Sequence, residues 1–301
     1  MIFKDCFLLY KNYNSYHLFS LTLFLTLGGL FSQDRKPYFD CPCPQIIAHQ
    51  GASLELPPNT VEAFELALNQ GADIIELDIW QTKEGEWVVV HDENLLKIAG
   101  INKNVGELTL SEINSLDAGY GFYKSSLKDI YPRNKKYQIP TLEQIFKIFP
   151  NERINIEIKD PNLSGLSSLI KIIHKYEAIN NILVVSSHYS VIKKFRKMTA
   201  YQMTTAASRS DIKKMMYLSW LPFYKFRFDA FQLPFYSKTV EKYKMNNAPW
   251  IKDKQKKQLQ VHYYTIDDTI DIKKVISIGA NGIITNKPKA VYDILKNQGK
   301  R

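Results

Sequence analysis

Cysteine is scarce in this chain, with three residues in 301. Cys6 lies in an N-terminal apolar leader, and Cys41 and Cys43 stand one residue apart, too close for an ordinary bridge. A disulfide scaffold is therefore excluded, and cysteine says nothing about compartment. Glycine and proline number only 13 each, which excludes collagen-like and low-complexity chains. No internal repeat and no linker rich in Gly or Ser interrupts the sequence. No apolar run reaches the roughly 20 residues of a bilayer-spanning helix. The longest, Leu18 to Phe31, is broken by Ser20, Thr22 and Thr26. Acidic residues are in deficit, 30 against 40 basic ones, so the net charge is +10. Such a chain is drawn to anionic partners, either a phospholipid surface or nucleic acid. It carries no zinc finger, basic zipper or RNA-recognition motif, which removes nucleic acid from the expectations.

What is present begins with the leader. Lys4 and Lys11 precede the apolar stretch, and Gly28, Gly29 and Ser32 close it, the pattern of a targeting segment. No small-x-small cleavage site follows, and Arg35 and Lys36 come next, so residues 1–40 read either as a signal peptide or as a retained membrane anchor. A buried first helix is the third reading. Export or membrane association is the expected location, whether periplasm, secretory pathway or cell surface.

From Gln45 onward strand patterns alternate with helical ones. Strands are expected at Gln45–Ala48, Ile74–Ile79, Trp87–Val90, Ile154–Ile158, Ile182–Val185, Gln202–Thr205, Ala230–Leu233, Val261–Thr265 and Gly282–Thr285. Capping-box spacing at Asn59 with Glu62, Thr109 with Glu112 and Thr141 with Gln144 marks helix starts. Val61, Phe64 and Leu68, and later Leu166, Leu169, Ile170 and Ile173, recur at helical spacing. Strand then helix, repeated eight times, predicts an α/β fold, a (β/α)8 TIM barrel over 44–297, with Trp87–Val90 in a small insertion after the second strand. An open doubly wound sheet is the alternative.

Strands of a parallel barrel should be almost continuously apolar, and two of these are not. In Ile74–Ile79 the period of two puts Glu76 and Asp78 on one face, their β-carbons about 7 Å apart. In the next such strand Asn155, Glu157 and Lys159 share one face and three isoleucines the other. A wet face of an antiparallel strand explains either alone. Both together, with helices covering the outside, leave only the barrel interior for these side chains. Carboxylates converging there repel unless a cation or proton separates them. An all-oxygen, thiolate-free set suits Mg²⁺ or Ca²⁺. His49 follows the first strand and His91 follows Trp87–Val90, at the carboxyl ends where barrel enzymes gather reactive groups. Imidazole titrates near neutrality, so one ring can take a proton while the other gives one.

These residues, in this order, resemble a known family. Ile47-Ala48-His49-Gln50-Gly51-Ala52, Pro57-Pro58-Asn59-Thr60, Gly71-Ala72-Asp73-Ile74-Ile75-Glu76-Leu77-Asp78 and Val90-His91-Asp92 are similar to motifs of the glycerophosphodiester phosphodiesterases. Ile139-Pro140-Thr141-Leu142, Ile156-Glu157-Ile158-Lys159 and Gly279-Ala280-Asn281-Gly282-Ile283-Ile284-Thr285 extend the likeness over about 45–290. The resemblance implies a (β/α)8 barrel with an insertion after its second strand and hydrolysis of a glycerol-based phosphodiester. It further implies that His49 and His91 are the acid/base pair, that Glu76, Asp78 and Glu157 bind one Mg²⁺ or Ca²⁺, and that Lys159 contacts phosphate. Gln50 stands where the family usually has Arg, a bidentate phosphate donor, and Tyr264 where it commonly has Trp; both are taken as substrate-side residues. Asp267 and Asn286 also depart, the family often having Asn and Asp there. A relative that binds phosphate or lipid at a membrane without efficient turnover is the alternative.

The membrane-associated lysophospholipase D branch is the most similar, through the leader and a late aromatic stretch, Met215–Phe228, followed by a basic one. That stretch reads equally as an interfacial segment or as a core helix entering the sixth barrel strand. Lys252, Lys254, Lys256 and Lys257 read as a solvated helix face, with contact to anionic lipid as the other option. The expected substrate is a glycerophosphodiester or a lysophospholipid.

Overall fold

The computed structural model describes residues 36–124, 136–219, 221 and 224–301. The apolar leader up to residue 35, and Trp220, Pro222 and Phe223 of the aromatic stretch, lie outside the described residues. Among the described residues no helix is long and apolar enough to cross a membrane. Cys41 and Cys43 form no disulfide.

Among the described residues nine strands form, each within a residue or two of its expected place: β1 Gln45–His49, β2 Ile74–Gln81, β3 Trp87–Val89, β4 Arg153–Ile158, β5 Ile182–Val185, β6 Thr204–Thr205, β7 Ala230–Pro234, β8 Gln260–Tyr264 and β9 Gly282–Thr285. Eight of them run parallel in the order β6-β5-β4-β2-β1-β9-β8-β7. A parallel bridge between Ala206 and Ala230 joins the two ends. The sheet is thus a nearly closed barrel, and β3 lies off it, antiparallel to β2.

A helix follows each barrel strand: α1 Val61–Asn69, α2 Leu142–Ile148, α3 Leu166–Lys175, α4 Tyr189–Met198, α5 Arg209–Leu218, α6 Ala248–Lys256, α7 Thr269–Ser277 and α8 Pro288–Asn297. Thr141 caps α2 with the expected box, and Thr109 does the same for the short helix Leu110–Asn114. At α1 the cap is Thr60 rather than Asn59, its hydroxyl accepting from the Ala63 amide. Asn59 instead adopts a left-handed backbone, φ 61°, which Asn tolerates better than most residues. Its side chain is thereby released for another task.

The isoleucines that alternate with the acids on β2 and β4 explain the layering. Ile75, Leu77, Ile79, Ile154, Ile156 and Ile158 face outward into one apolar layer under α1 to α3. Each such burial contributes roughly 1.5–3 kcal/mol. A second layer lies under α6 to α8. Inside the barrel a smaller core joins Ile47, Ile74, Leu183, Ala230 and Ile284 to Tyr38 and Phe39 of a short 3-10 turn, Pro37–Phe39. The packed unit therefore reaches upstream of residue 44.

The excursion between β2 and α2 packs its own core of Val88, Val90, Leu95, Val105, Leu108, Ile113 and Ile139. Lys254 departs from the solvated face expected for α6. It is buried, with its ammonium over the Trp250 ring at 5.3 Å and bonded to Asp253 at 2.8 Å, whereas Lys252, Lys256 and Lys257 are exposed. The Trp250 and Phe226 rings beside its aliphatic stem outweigh full hydration of one charge that keeps a carboxylate partner.

Candidate active site

Register brings the acidic residues together. Across β1, β2 and β4, His49 lies opposite Glu76, and Asp78 lies opposite Glu157. Parallel pairing sets each pair at one height, the second pair two residues further along the strands, and the period of two turns the side chains inward. One oxygen from each of Glu76, Asp78 and Glu157 falls within 4.8 Å of the others. Glu76 is 4% exposed and Asp78 1%, so water offsets little of their mutual repulsion. Burial, then the charges of Asp78 and Glu157, push the Glu76 carboxyl well above its ordinary range, against the pull of the Gln50 amide and Lys159.

Lys159 is the cation within reach, 2.9 Å from Glu157 Oε2 and 3.1 Å from Asp78 Oδ1. Burial alone would lower its pKa, yet Asp78 and Glu157 hold it above the usual lysine value. One ammonium against three carboxylates leaves a buried deficit of positive charge. That deficit, presented by hard oxygen donors alone, fits a divalent cation of the Mg²⁺ or Ca²⁺ type.

Two side chains that sequence reading missed, or assigned elsewhere, grip Asp78. The Asn59 amide donates to Asp78 Oδ2 at 3.0 Å and its carbonyl accepts from the Asp78 backbone amide at 3.3 Å. Gln50, expected on the substrate side, donates from Nε2 to the same Oδ2 at 2.8 Å. Its backbone amide donates to Glu76 Oε2 at 3.0 Å. Gln50 holds φ 57° and the next residue, Gly51, φ 84°; a β-carbon on Gly51 would lie 2.6 Å from the Ala63 backbone. Glycine is needed there for the loop to approach α1 so closely. No local signal in the sequence announced this grip: the capping spacing at Asn59 pointed to a helix start, and its left-handed backbone is a property of the folded chain.

The two histidines are held differently. His49 Nδ1 lies 2.8 Å from Asn286 Oδ1, and the Ser53 hydroxyl donates to that same oxygen at 2.8 Å. Asn286 Nδ2 donates to Asp267 Oδ2 at 2.6 Å, while Asp267 Oδ1 accepts from the Asn286 backbone amide at 2.7 Å and from Thr285 Oγ1 at 2.8 Å. Of the two ends of the Asn286 side-chain amide only the NH₂ can donate to a carboxylate, so Asp267 sets which way Asn286 points. Its oxygen then faces His49, Nδ1 must carry the hydrogen, and Nε2 is the nitrogen left to exchange a proton. The two departures noted at 267 and 286 thus complement each other. His91 is exposed, with Nδ1 2.7 Å from Asp92 Oδ1, and its backbone carbonyl accepts from Trp80 Nε1 at 3.0 Å. Here too the carboxylate accepts, so Nδ1 carries the hydrogen and Nε2 is left without one.

Tyr264, at the end of β8, is 41% exposed. Burial, then the charge of Glu157, raises its pKa, and as the last residue of β8 it stands at the carboxyl end of that strand. Every residue expected in the site therefore lies at the carboxyl end of the barrel strands or on the loops that follow them.

Comparison with known proteins agrees with this geometry. The model of the glycerophosphoryl diester phosphodiesterase family matches residues 49–290. A glycerophosphodiester phosphodiesterase of Caldanaerobacter subterraneus is 29% identical over 263 residues, covering 84% of this chain and 98% of the relative. The human lysophospholipase D GDPD1 is 26% identical over 305 residues, covering 93% and 94%. Among solved structures, a glycerophosphodiester phosphodiesterase of Agrobacterium tumefaciens shares the fold with a TM-score of 0.68 at 22% identity, over 83% of this chain and 99% of that one. A phosphodiesterase of Oleispira antarctica, solved with the product sn-glycerol-3-phosphate, superposes with a TM-score of 0.66 at 18% identity, over 84% and 97%. The matched motifs and the barrel that assembles them together show that this chain belongs to the glycerophosphoryl diester phosphodiesterase family of phosphoric diester hydrolases.

Proposed function

We propose that the chain hydrolyses a glycerol-based phosphodiester, a glycerophosphodiester or a lysophospholipid, to an alcohol and a phosphomonoester. The observation that carries the reading is the buried trio Glu76, Asp78 and Glu157 beside Lys159, within a barrel mouth that also holds two histidines. A Mg²⁺ or Ca²⁺ ion held by those carboxylates supplies positive charge for the phosphoryl oxygens. Lys159 adds a second cation for the phosphate, and Tyr264 and Gln50 border the substrate. Asn59 and Gln50 keep Asp78 oriented, as outer partners of ligating carboxylates do.

His49 and His91 exchange protons at Nε2. The free 2-hydroxyl oxygen of the glycerol attacks phosphorus while one ring takes its proton. The bond from phosphorus to the leaving alcohol breaks, and the other ring protonates that oxygen. Water then opens the cyclic product to the phosphomonoester. Residues up to 35 act as signal peptide or anchor, and the unit from Lys36 to about 297, which includes Tyr38 and Phe39 inside the barrel, is the catalytic unit, at a membrane or after export.

The test is choline release from glycerophosphocholine and lysophosphatidylcholine in Mg²⁺, Ca²⁺ or EDTA, beside His49→Ala and a diacylphosphatidylcholine control. Metal-dependent release that falls roughly 10²–10⁴-fold in His49→Ala is expected, and the ratio of the two rates distinguishes soluble from lipid substrate. Equal cleavage of the diacyl lipid would exclude attack by the 2-hydroxyl. Release that survives EDTA would exclude the metal.

A further inference from the structure

Outside the barrel, on the wall formed by α4, α5 and the segment 224–228 entering β7, lies a cavity of about 300 Å³. None of these elements carries a residue of the candidate active site. Six cations line it, Lys193, Arg196, Lys197, Lys214, Lys225 and Arg227, against a single carboxylate, Asp211. That carboxylate is already engaged: Asp211 Oδ2 accepts from Arg196 Nη1 at 2.9 Å, from the Ser208 amide at 2.9 Å and from the Ser208 hydroxyl at 2.7 Å. Arg196 is buried, and its remaining nitrogens donate to Thr205 Oγ1 at 3.0 Å and to the Ala206 carbonyl at 2.7 Å. The back wall is therefore held by its own hydrogen bonds, and among the lining residues Asp211 is the one carboxylate set against the cations in front of it.

Tyrosines hold those front cations in place. The Lys214 ammonium sits 4.3 Å from the centroid of the Tyr189 ring and bonds to its hydroxyl, and Lys193 faces the same ring at 5.8 Å. Arg227 Nη1 donates to the Tyr201 hydroxyl at 2.7 Å. Ala200 and Tyr201 are consecutive left-handed residues, at φ 48° and 61°, a strain spent on bringing Tyr201 to the cavity. Beside the cavity the surface turns apolar. Met198, Leu218 and Leu221 are each about 40% exposed and Tyr217 is 71% exposed.

We propose that this cavity is a second, noncatalytic site for a phosphomonoester group, with the adjoining exposed apolar side chains suited to the acyl part of an anionic lipid. Six lining cations and tyrosine hydroxyls around a single, already bonded carboxylate fit a compact oxyanion of more than one charge. The volume is enough for a headgroup phosphate and too small for a whole lipid. The site is independent of the phosphodiesterase reading, since it shares no residue with the barrel mouth.

The same chemistry can come from a lipid headgroup or from soluble phosphate, and two arms separate them. In the first, the full-length chain is sedimented with vesicles of phosphatidylcholine, and with vesicles carrying phosphatidic acid or phosphatidylglycerol at matched surface charge. In the second, inorganic phosphate is titrated by calorimetry at constant ionic strength. Each arm uses the wild type, Lys193→Glu/Lys214→Glu, and a control pair at exposed lysines elsewhere, Lys171→Glu/Lys273→Glu. Lys193 and Lys214 are exposed, so the reversal leaves the core untouched, and circular dichroism verifies the fold. Preference for phosphatidic acid, reduced roughly tenfold in the cavity pair and retained in the control pair, establishes the lipid site. Phosphate binding lost only in the cavity pair, with no vesicle preference, establishes the same pocket for a soluble ligand. Equal loss in both pairs, or no difference between phosphatidic acid and phosphatidylglycerol together with no phosphate binding, overturns the proposal.

Discussion

Asn286 shows how much one residue contributes at the reacting end of the barrel. Its amide links a carboxylate to an imidazole, with Asp267 on one side at 2.6 Å and His49 on the other at 2.8 Å. A carboxylate at 286 would meet the His49 ring directly, but beside an acid at 267 it would face a like charge. The family's usual order, Asn then Asp, and the order here, Asp then Asn, both put one amide and one carboxylate in the pair. Asn286→Ala removes the acceptor that keeps the hydrogen on Nδ1 and should lower kcat about 10- to 100-fold with little change in KM, since positioning acts on the proton transfer. Unchanged kcat would show that His49 is oriented by something else. None of this was legible locally. His49 and Asn286 are 237 residues apart, and neither residue type is unusual after a strand.

At the scale of elements, β2 and β4 were the most readable, because alternation with a period of two is a property of the strand itself. Ile-Ile-Glu-Leu-Asp-Ile announces both a buried face and a polar one, and barrel closure then decides that the polar face looks inward. The helix caps were less secure. Thr109 and Thr141 follow the capping box, whereas at α1 the cap moved one residue on, because Asn59 bonds to Asp78 and a capping pattern cannot report a tertiary partner. Where β8 meets β9, a β-carbon at Gly282 would lie 2.9 Å from the His262 ring and 3.1 Å from Ile47. His262 is fully buried and cannot step aside. Gly282→Ala should therefore destabilise the fold by about 1–3 kcal/mol in urea unfolding, an overpacking effect. A change within about 0.5 kcal/mol, the range of ordinary surface substitutions, would show that the barrel interior yields at this point.

For the whole molecule, the barrel encloses a buried imidazole that the proposed chemistry does not use. Burial lowers the His262 pKa from 6.5 to about 3, and the ring makes no hydrogen bond among the described residues. The unfolded chain takes a proton at His262 below pH 6.5 and the folded chain does not until about pH 3, so stability is lost as pH falls through that window. Relative to His262→Gln, the wild type should lose up to about 1.4 kcal/mol per pH unit there. Parallel stability curves for the two proteins would show that His262 is protonated or solvated in the folded state. Nothing local in the sequence marks His262, since burial inside a barrel belongs to all eight strands at once. The same division runs through the protein. Strand and helix order, the inward acids and the two histidines follow from spacing along the chain, because pleat and helical turn repeat over a few residues. The grip of Asn59 and Gln50 on Asp78, the Asp267–Asn286–His49 link, the Tyr38 and Phe39 plug and the basic cavity on the outer wall arise only when the barrel closes. They join residues far apart in sequence, and no local periodicity encodes which distant side chain will stand opposite.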